Sequence, residues 1–197
     1  MRIKGQLIRM FDKYIHIYEL ARPYLQTRHN DLHIQISYRF AQRLLEEEPG
    51  DPEIVLPAVI CHDVGWIKLA EDLQLQAFGP TFDPELRRIH EVEGVNLARQ
   101  ILTEADYDKN KIEEILDIIN GHDSRLIAVS DNDRIVKDAD KLFRYEPRGL
   151  SIDAHRFGID VSTHISWLRD KIESWFFTGT AKRFARDELT HGRIQYS

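Results

Sequence analysis

Nine histidines stand in this chain of 197 residues, and four of them are arranged rather than scattered. His33 shares a helical face with Ile36, Phe40 and Leu44. His62 follows Ile54 and Ala58 on one face, His90 follows Leu86 and precedes Leu97, and His122 follows Ile115 and Ile119. Two carboxylates join them: Asp63 directly after His62, and Asp140 inside the apolar-flanked run Ile135 to Leu142. A single histidine on an apolar face is ordinary core chemistry. Four on separate helices, with two carboxylates, demand more, because buried polar groups need partners and buried carboxylates need cations. One or two metal ions would satisfy all of them together. Imidazole with carboxylate suits Mn, Fe, Co, Ni or Zn, and residue type alone does not choose among them.

The elements that carry these residues read as helices nearly throughout. Leu7, Phe11, Tyr14 and Tyr18 mark a first helix that stops before Pro23. Asn30 or Asp31 caps a second, running to about Glu48. Pro49-Gly50-Asp51-Pro52 is a break. A third, apolar helix follows from about Pro52 to Asp63, ended by Gly65. Residues 66–83 read as a loop or short helix. A fourth helix begins near Pro84, where proline suits a first turn, and ends near Thr103. A fifth spans about 110–121, and a sixth starts near Asp133 and carries Asp138 and Asp140. Residues 146–160, with Pro147, Gly149 and Gly158, read as a connecting loop. Two more helices fill about 162–177 and 180–189. No alternating strand pattern, repeat or linker interrupts this order. The expectation is an all-α helical bundle forming one domain over 1–197, with 1–27 as an N-terminal helix packed upon it.

Composition excludes several classes. Hydrophobic residues make up 42% and charged residues 30%, the balance of a folded globule rather than a disordered chain. Lys plus Arg number 27 against 33 Asp plus Glu, a net charge of -6, which argues against bulk nucleic acid as a partner. The single cysteine, Cys61, rules out an internal disulfide or a zinc ribbon. No apolar run approaches the roughly 20 residues of a membrane span. Charges throughout the first twenty residues leave no secretory core, so a cytoplasmic location is expected, with no membrane partner.

The ordered set His33, then His62-Asp63, then Asp140 resembles the H…HD…D pattern of the HD-domain superfamily of metal-dependent phosphohydrolases. Local contexts agree. Residues 58–65, Ala-Val-Ile-Cys-His-Asp-Val-Gly, resemble that superfamily's apolar helix ending in HD and glycine, and Lys137 to Leu142 resembles its late Ala-Asp-Lys helix. Thr178 to Leu189 looks like the C-terminal helix of small bacterial members. His90 and His122 resemble the extra histidines of binuclear members. The resemblance, spanning about 28–190, implies an HD helical bundle with two divalent ions (Mn, Fe, Co, Ni, Mg or Zn). His33, His62 and Asp140 would hold one ion, His90 and His122 the other, and Asp63 would bridge. A hydroxide held by the ions would then attack a phosphoester or phosphoanhydride of a nucleotide or similar small phosphorylated metabolite. The resemblance also puts a basic residue just after the HD turn, which makes Lys68 an expected phosphate contact in the catalytic site beside Asp63.

Other residues weigh less. Asp138 lies two positions from Asp140, so it faces elsewhere on a helix, toward the surroundings of the ligands or solvent. Arg87, Arg88, Lys141 and Arg144 are further candidate phosphate contacts. His29 could flank the pocket. Cys61 reads as core, and His16, His155, His164 and His191 as structural or exposed. Two other functions use the same residues: a mixed-valent di-iron oxygenase of the HD superfamily, which consumes O2, and a non-catalytic nucleotide-binding signalling module. Oligomerisation is compatible with all three.

Overall fold

The computed structural model of the chain describes residues 12–77 and 83–196, with Asp12 and 191–196 by backbone alone. Ten α-helices follow one another: α1 Ile15–Ala21, α2 Asn30–Leu45, α3 Pro52–Cys61, α4 Glu71–Gln76, α5 Pro84–Glu104, α6 Lys109–Ile119, α7 Asp131–Leu142, α8 Pro147–Phe157, α9 Val161–Trp175 and α10 Gly179–Tyr196. Short 3-10 turns at Asp12–Tyr14, Arg22–Leu25, Val64–Lys68 and Phe143–Tyr145 complete the order. No strand occurs among the described residues. This is the all-α helical bundle that the periodicity predicts. Leu7 and Phe11 of the expected first helix lie outside the described residues.

Local chemistry sets the helix starts. The carboxylates of Asp51, Asp83 and Asp108 accept from the backbone N–H two residues on, opening α3, α5 and α6. Ser130 and Asp160 cap α7 and α9 in the same way. Proline at the first turn of α3, α5 and α8 wastes no hydrogen bond, since that N–H has no helical partner. Pro57 inside α3 is a different case, because it leaves the Glu53 carbonyl without its usual helical donor. The Tyr107 hydroxyl donates to that carbonyl at 2.6 Å.

The expectation of a loop over 146–160 is corrected. Residues Pro147–Phe157 form α8. Pro147 is its first residue, Glu146 caps it by accepting from the N–H groups of Arg148 and Gly149, and Gly158 ends it at φ +62°. The Pro and Gly that read as loop composition are the helix's two ends. The stretch 66–83 holds part of the 3-10 turn and α4, and residues 78–82 lie outside the described ones.

Helix α2 packs on α3 and α7, and α3 also meets α6 and α7. Helix α5 lies along the Val64–Lys68 turn and α6. One contiguous apolar cluster runs from Tyr14 to Leu189 and includes all of α3's nonpolar side chains except Pro52 and Pro57. Helices α9 and α10 pack on each other and on α8, and α10 also touches α7. The C-terminal ends of α3 and α6 meet in the interior, and α2, α5 and α7 pass beside them.

Candidate metal centre

His62 and Asp63 follow the last turn of α3, and His122 and Asp123 follow that of α6. The two corners are built alike. The Val59 carbonyl, three residues before His62, lies 2.8 Å from its Nδ1, and the Ile119 carbonyl lies 2.8 Å from His122 Nδ1. A carbonyl can only accept, so both Nδ1 atoms carry a proton and both Nε2 atoms face the centre, where they ligate once unprotonated. His33 comes from α2, His90 from α5 and Asp140 from α7. All six residues expected to be ligands are buried and meet in one place.

The distances divide them into two groups sharing one member. His33 Nε2 lies 3.0 Å from His62 Nε2 and 3.1 Å from Asp140 Oδ1. Asp63 Oδ2 is 3.5 Å from His33 Nε2, and its Oδ1 is 3.6 Å from His122 Nε2. His90 Nε2 is 3.3 Å from His122 Nε2. His33, His62 and Asp63 form one triplet of possible ligand atoms, and Asp63, His90 and His122 form another. Lone pairs turned toward one another at such distances repel unless a proton or cation lies between them. Donors about 2.0–2.2 Å from a shared ion stand about 3.0–3.6 Å apart, so the mixed nitrogen and oxygen set fits divalent metal.

Electrostatics in the metal-free cluster point the same way. Burial opposes ionisation of Asp63, yet His62, His122 and His33 hold it well below the usual carboxylate range. Asp140 is depressed against the same burial by hydrogen bonds from His33 and His62 and by the Arg144 charge. Burial likewise works against charge on His122, but Asp123 and Asp63 raise it to about 9. Burial, reinforced by the His122 charge, pushes His90 down to about 4. The cluster is a set of anions and bases competing for too few protons.

Asp123 is the residue sequence reasoning missed. Its Oδ2 lies 3.5 Å from His90 Nε2 and 3.7 Å from His122 Nε2. The signal was present, since His122-Asp123 repeats the His62-Asp63 dipeptide after a second apolar helix. Glu91 shapes this corner. Fully buried, it accepts from the N–H groups of Asp123 and Ser124, from the Ser124 hydroxyl and from Arg88. From the other side, the buried Lys137 ammonium donates to the carbonyls of Gly121 and His122.

Trp66 was also missed. Its ring stacks on His90 with centroids 3.8 Å apart, its Nε1 donates to Asp63 Oδ1, and the Arg28 guanidinium lies 4.4 Å from its ring centroid. A narrow cleft opens beside the cluster, lined by His33, Asp63, Asp123 and Asp140 together with Arg28, Arg144 and Arg156.

Lys68 is not brought into this cleft: it is exposed on the 3-10 turn and is absent from the lining. The turn buries Val64, Gly65 and Trp66 and so leaves Ile67 and Lys68 outward. Of the other basic candidates, Arg144 lines the cleft. Arg88 is occupied with Glu91 and Asn120, and Lys141 reaches back to the Lys137 carbonyl. His29 is exposed at a left-handed φ of 59°. Asp138 faces away from the cluster and accepts from the N–H groups of Phe177 and Thr178 and the Thr178 hydroxyl, fixing the approach to α10. Cys61 is core, its thiol pushed up to about 12 by burial. His16 and His155 are exposed and His164 is buried beside Trp167, while the His191 side chain lies outside the described residues.

A helical bundle whose consecutive His-Asp pair faces two more histidine-bearing helices and a later aspartate defines a metal-site fold class. The HD domain family model matches residues 32–145, more than half of the chain, and the chain belongs to the HD-domain family. Comparison with curated proteins and with solved structures found no match. Membership carries the superfamily's association with metal-dependent hydrolysis. Among the described residues no helix is long and apolar enough to cross a membrane.

Proposed function

We propose that this protein is a metal-dependent phosphohydrolase acting on a small phosphorylated metabolite, with a nucleotide as the expected substrate. One observation carries the reading: four histidine Nε2 atoms and the carboxylates of Asp63, Asp123 and Asp140 converge beside an arginine-lined cleft. His33, His62 and Asp140 would hold one divalent ion, and His90, His122 and Asp123 a second, with Asp63 shared. Bound there, such ions supply an activated water and neutralise charge on a phosphoryl oxygen.

The chain's own groups do the rest. The Val59 and Ile119 carbonyls hold His62 and His122 in the ligating tautomer. Trp66 orients Asp63 by donating to Oδ1, which keeps a lone pair on the His122 side, while Oδ2 faces His33. Arg144, 3.8 Å from Asp140, stands where it can meet an anionic oxygen at the cluster's edge. Cys61, the chain's single thiol, does not compete with water, because it is buried away with a raised pKa.

The test is phosphate release from a nucleotide panel with Mn, Mg, Co or Ni added separately. Asp63→Ala should lose both metal and turnover while keeping its helical circular dichroism. Normal metal content and turnover in Asp63→Ala would overturn the assignment. Oxygen consumption coupled to product formation would move the protein to the di-iron oxygenase class, and nucleotide binding without turnover to the signalling class.

A further inference from the structure

Three guanidinium groups line the cleft beside the cluster: Arg28, Arg144 and Arg156. Arg28 precedes α2, Arg144 lies in the turn after α7, and Arg156 is in the last turn of α8. Arg28 and Arg156 both fall outside the segment matched by the HD family model.

The three are held together by structure that resists their repulsion. Asp153, 1% exposed, is shared between two of them, 2.9 Å from Arg156 Nη1 and 3.4 Å from Arg144 Nε. Arg156 Nη2 donates to the backbone carbonyl of Arg28 at 2.9 Å. Arg28 donates to the Gln74 carbonyl and lies over Trp66, whose opposite neighbour is His90. Arg28 and His29 both have left-handed φ, +57° and +59°, an unfavourable conformation for non-glycine residues at two consecutive positions. Burial and the Arg156 charge push Arg28 down to about 10, which still leaves it charged at neutral pH. Strain, burial and like-charge proximity are thus concentrated at one wall of the cleft, in a protein whose net charge is -6.

The arginines have different neighbours. Arg144 is within 3.8 Å of Asp140 and therefore beside the cluster, where the reacting phosphoryl group would lie. Arg28 and Arg156 are joined to each other through the Arg28 carbonyl, Arg28 lying over Trp66 and Arg156 paired with Asp153. We infer that Arg28 and Arg156 form a subsite for a second phosphoryl group, so that the substrate is a phosphoanhydride, a diphosphate or longer, rather than a monoester. The inference rests on the phosphohydrolase reading for its reaction but not for its binding step. Hydrolysis of such a substrate breaks one P–O–P bridge. Water supplies the oxygen to the phosphoryl group at the cluster, and the departing phosphate leaves with the bridging oxygen and a proton. Arg28 and Arg156 bind that leaving group before cleavage, and guanidinium donors suit its oxygens.

The experiment measures binding by calorimetry to the Mn-loaded protein, with methylenediphosphonate and methylphosphonate as non-hydrolysable probes. The wild type should prefer the diphosphonate, and Arg156→Gln should reduce that preference about tenfold, the worth of a lost charge-assisted hydrogen bond. Arg156→Lys, which keeps the charge but not the fork, guards against misfolding and should show an intermediate preference; Arg28→Lys repeats the test on the second arginine. Equal preference in the wild type, or a preference unchanged in folded Arg156 and Arg28 variants, overturns the subsite. Phosphate release from ADP and AMP separates the two readings. Diphosphonate preference without any turnover sinks the hydrolase and keeps the subsite, whereas equal turnover of ADP and AMP with no binding preference does the reverse.

Discussion

The indole Nε1 of Trp66 donates to Asp63 Oδ1 at 2.9 Å, while the same ring lies stacked between His90 and the Arg28 guanidinium. One side chain therefore orients the shared carboxylate, backs a candidate ligand and supports an arginine of the cleft wall. Removing the N–H but keeping a stacking ring isolates the first of these roles. Trp66→Phe should weaken metal binding about tenfold or more, the usual cost of losing a group that orients a ligand. Competition with a fluorescent chelator reads this directly. Unchanged affinity in a folded Trp66→Phe protein would remove Trp66 from the metal centre.

Metal uptake should be coupled to proton release. Despite burial, Asp123 and Asp63 raise His122 to about 9, so in the metal-free protein it is protonated at pH 7. A raised base holds its extra proton below its folded pKa, and an entering cation must displace that proton. Binding at pH 7 should release about one proton, and affinity should climb as pH rises toward 9. Titration calorimetry in buffers of different ionisation enthalpy measures the proton count. An enthalpy independent of buffer, with affinity flat between pH 7 and 9, would contradict it.

Glu91 should be needed for the second corner of the site and not the first. It is fully buried and accepts from the Asp123 and Ser124 backbone N–H groups and from the Ser124 hydroxyl. Glu91→Gln turns an amide N–H₂ toward these donors and should cost about 1–3 kcal/mol in urea unfolding. Elemental analysis should then find one ion fewer per chain than in the wild type. Full metal content with wild-type stability would show that the turn needs no anion.

Gly65 and Gly94 form a matched pair of opposite sign. A Cβ on Gly65 would lie 1.9 Å from the His90 carbonyl oxygen and 2.5 Å from Gly94 N, all backbone atoms that cannot swing aside. Gly65→Ala should therefore push α5 away and cost about 3 kcal/mol, with His90 displaced from the cluster. A Cβ on Gly94 meets nothing closer than 3.5 Å, and the residue is inside a helix. Gly94→Ala should stabilise the fold by about 0.5–1 kcal/mol. Thermal melts of the two variants shifting in the same direction would refute the packing argument.

Much of this protein is legible in its sequence because the helix imposes a short, local rule. A period of 3.6 puts His33 with Ile36 and Phe40, and His90 with Leu97, on faces that must be buried, while Asp63 and Asp140 stand out as ligands through the H…HD…D resemblance. Capping chemistry is local too, yet the cap expected at Asn30 or Asp31 is not made: His29 precedes α2 and no side chain caps it, whereas Asp51, Asp83 and Asp108 cap α3, α5 and α6. The same rule explains why Asp138 could be separated from Asp140: two residues along a helix point to different neighbours, and Asp138 goes to Phe177 and Thr178. The loop expected over 146–160 failed because Pro and Gly punctuate both loops and helix ends, and only the backbone distinguishes the two.

Tertiary structure alone decided the rest. Arg28 and Arg156 are 128 positions apart, and no local pattern marks either as facing a cleft, yet the guanidinium of one meets the carbonyl of the other. Lys68 is next to the His-Asp corner in sequence but outside the site in space, because the tight 3-10 turn that buries Trp66 leaves it outward. Asp123 entered the cluster because α3 and α6 end at the same point, which is a fact of helix packing. Periodicity determines which face of each helix is buried; which buried faces share one point depends on how the helices cross, and that is set by the whole core at once.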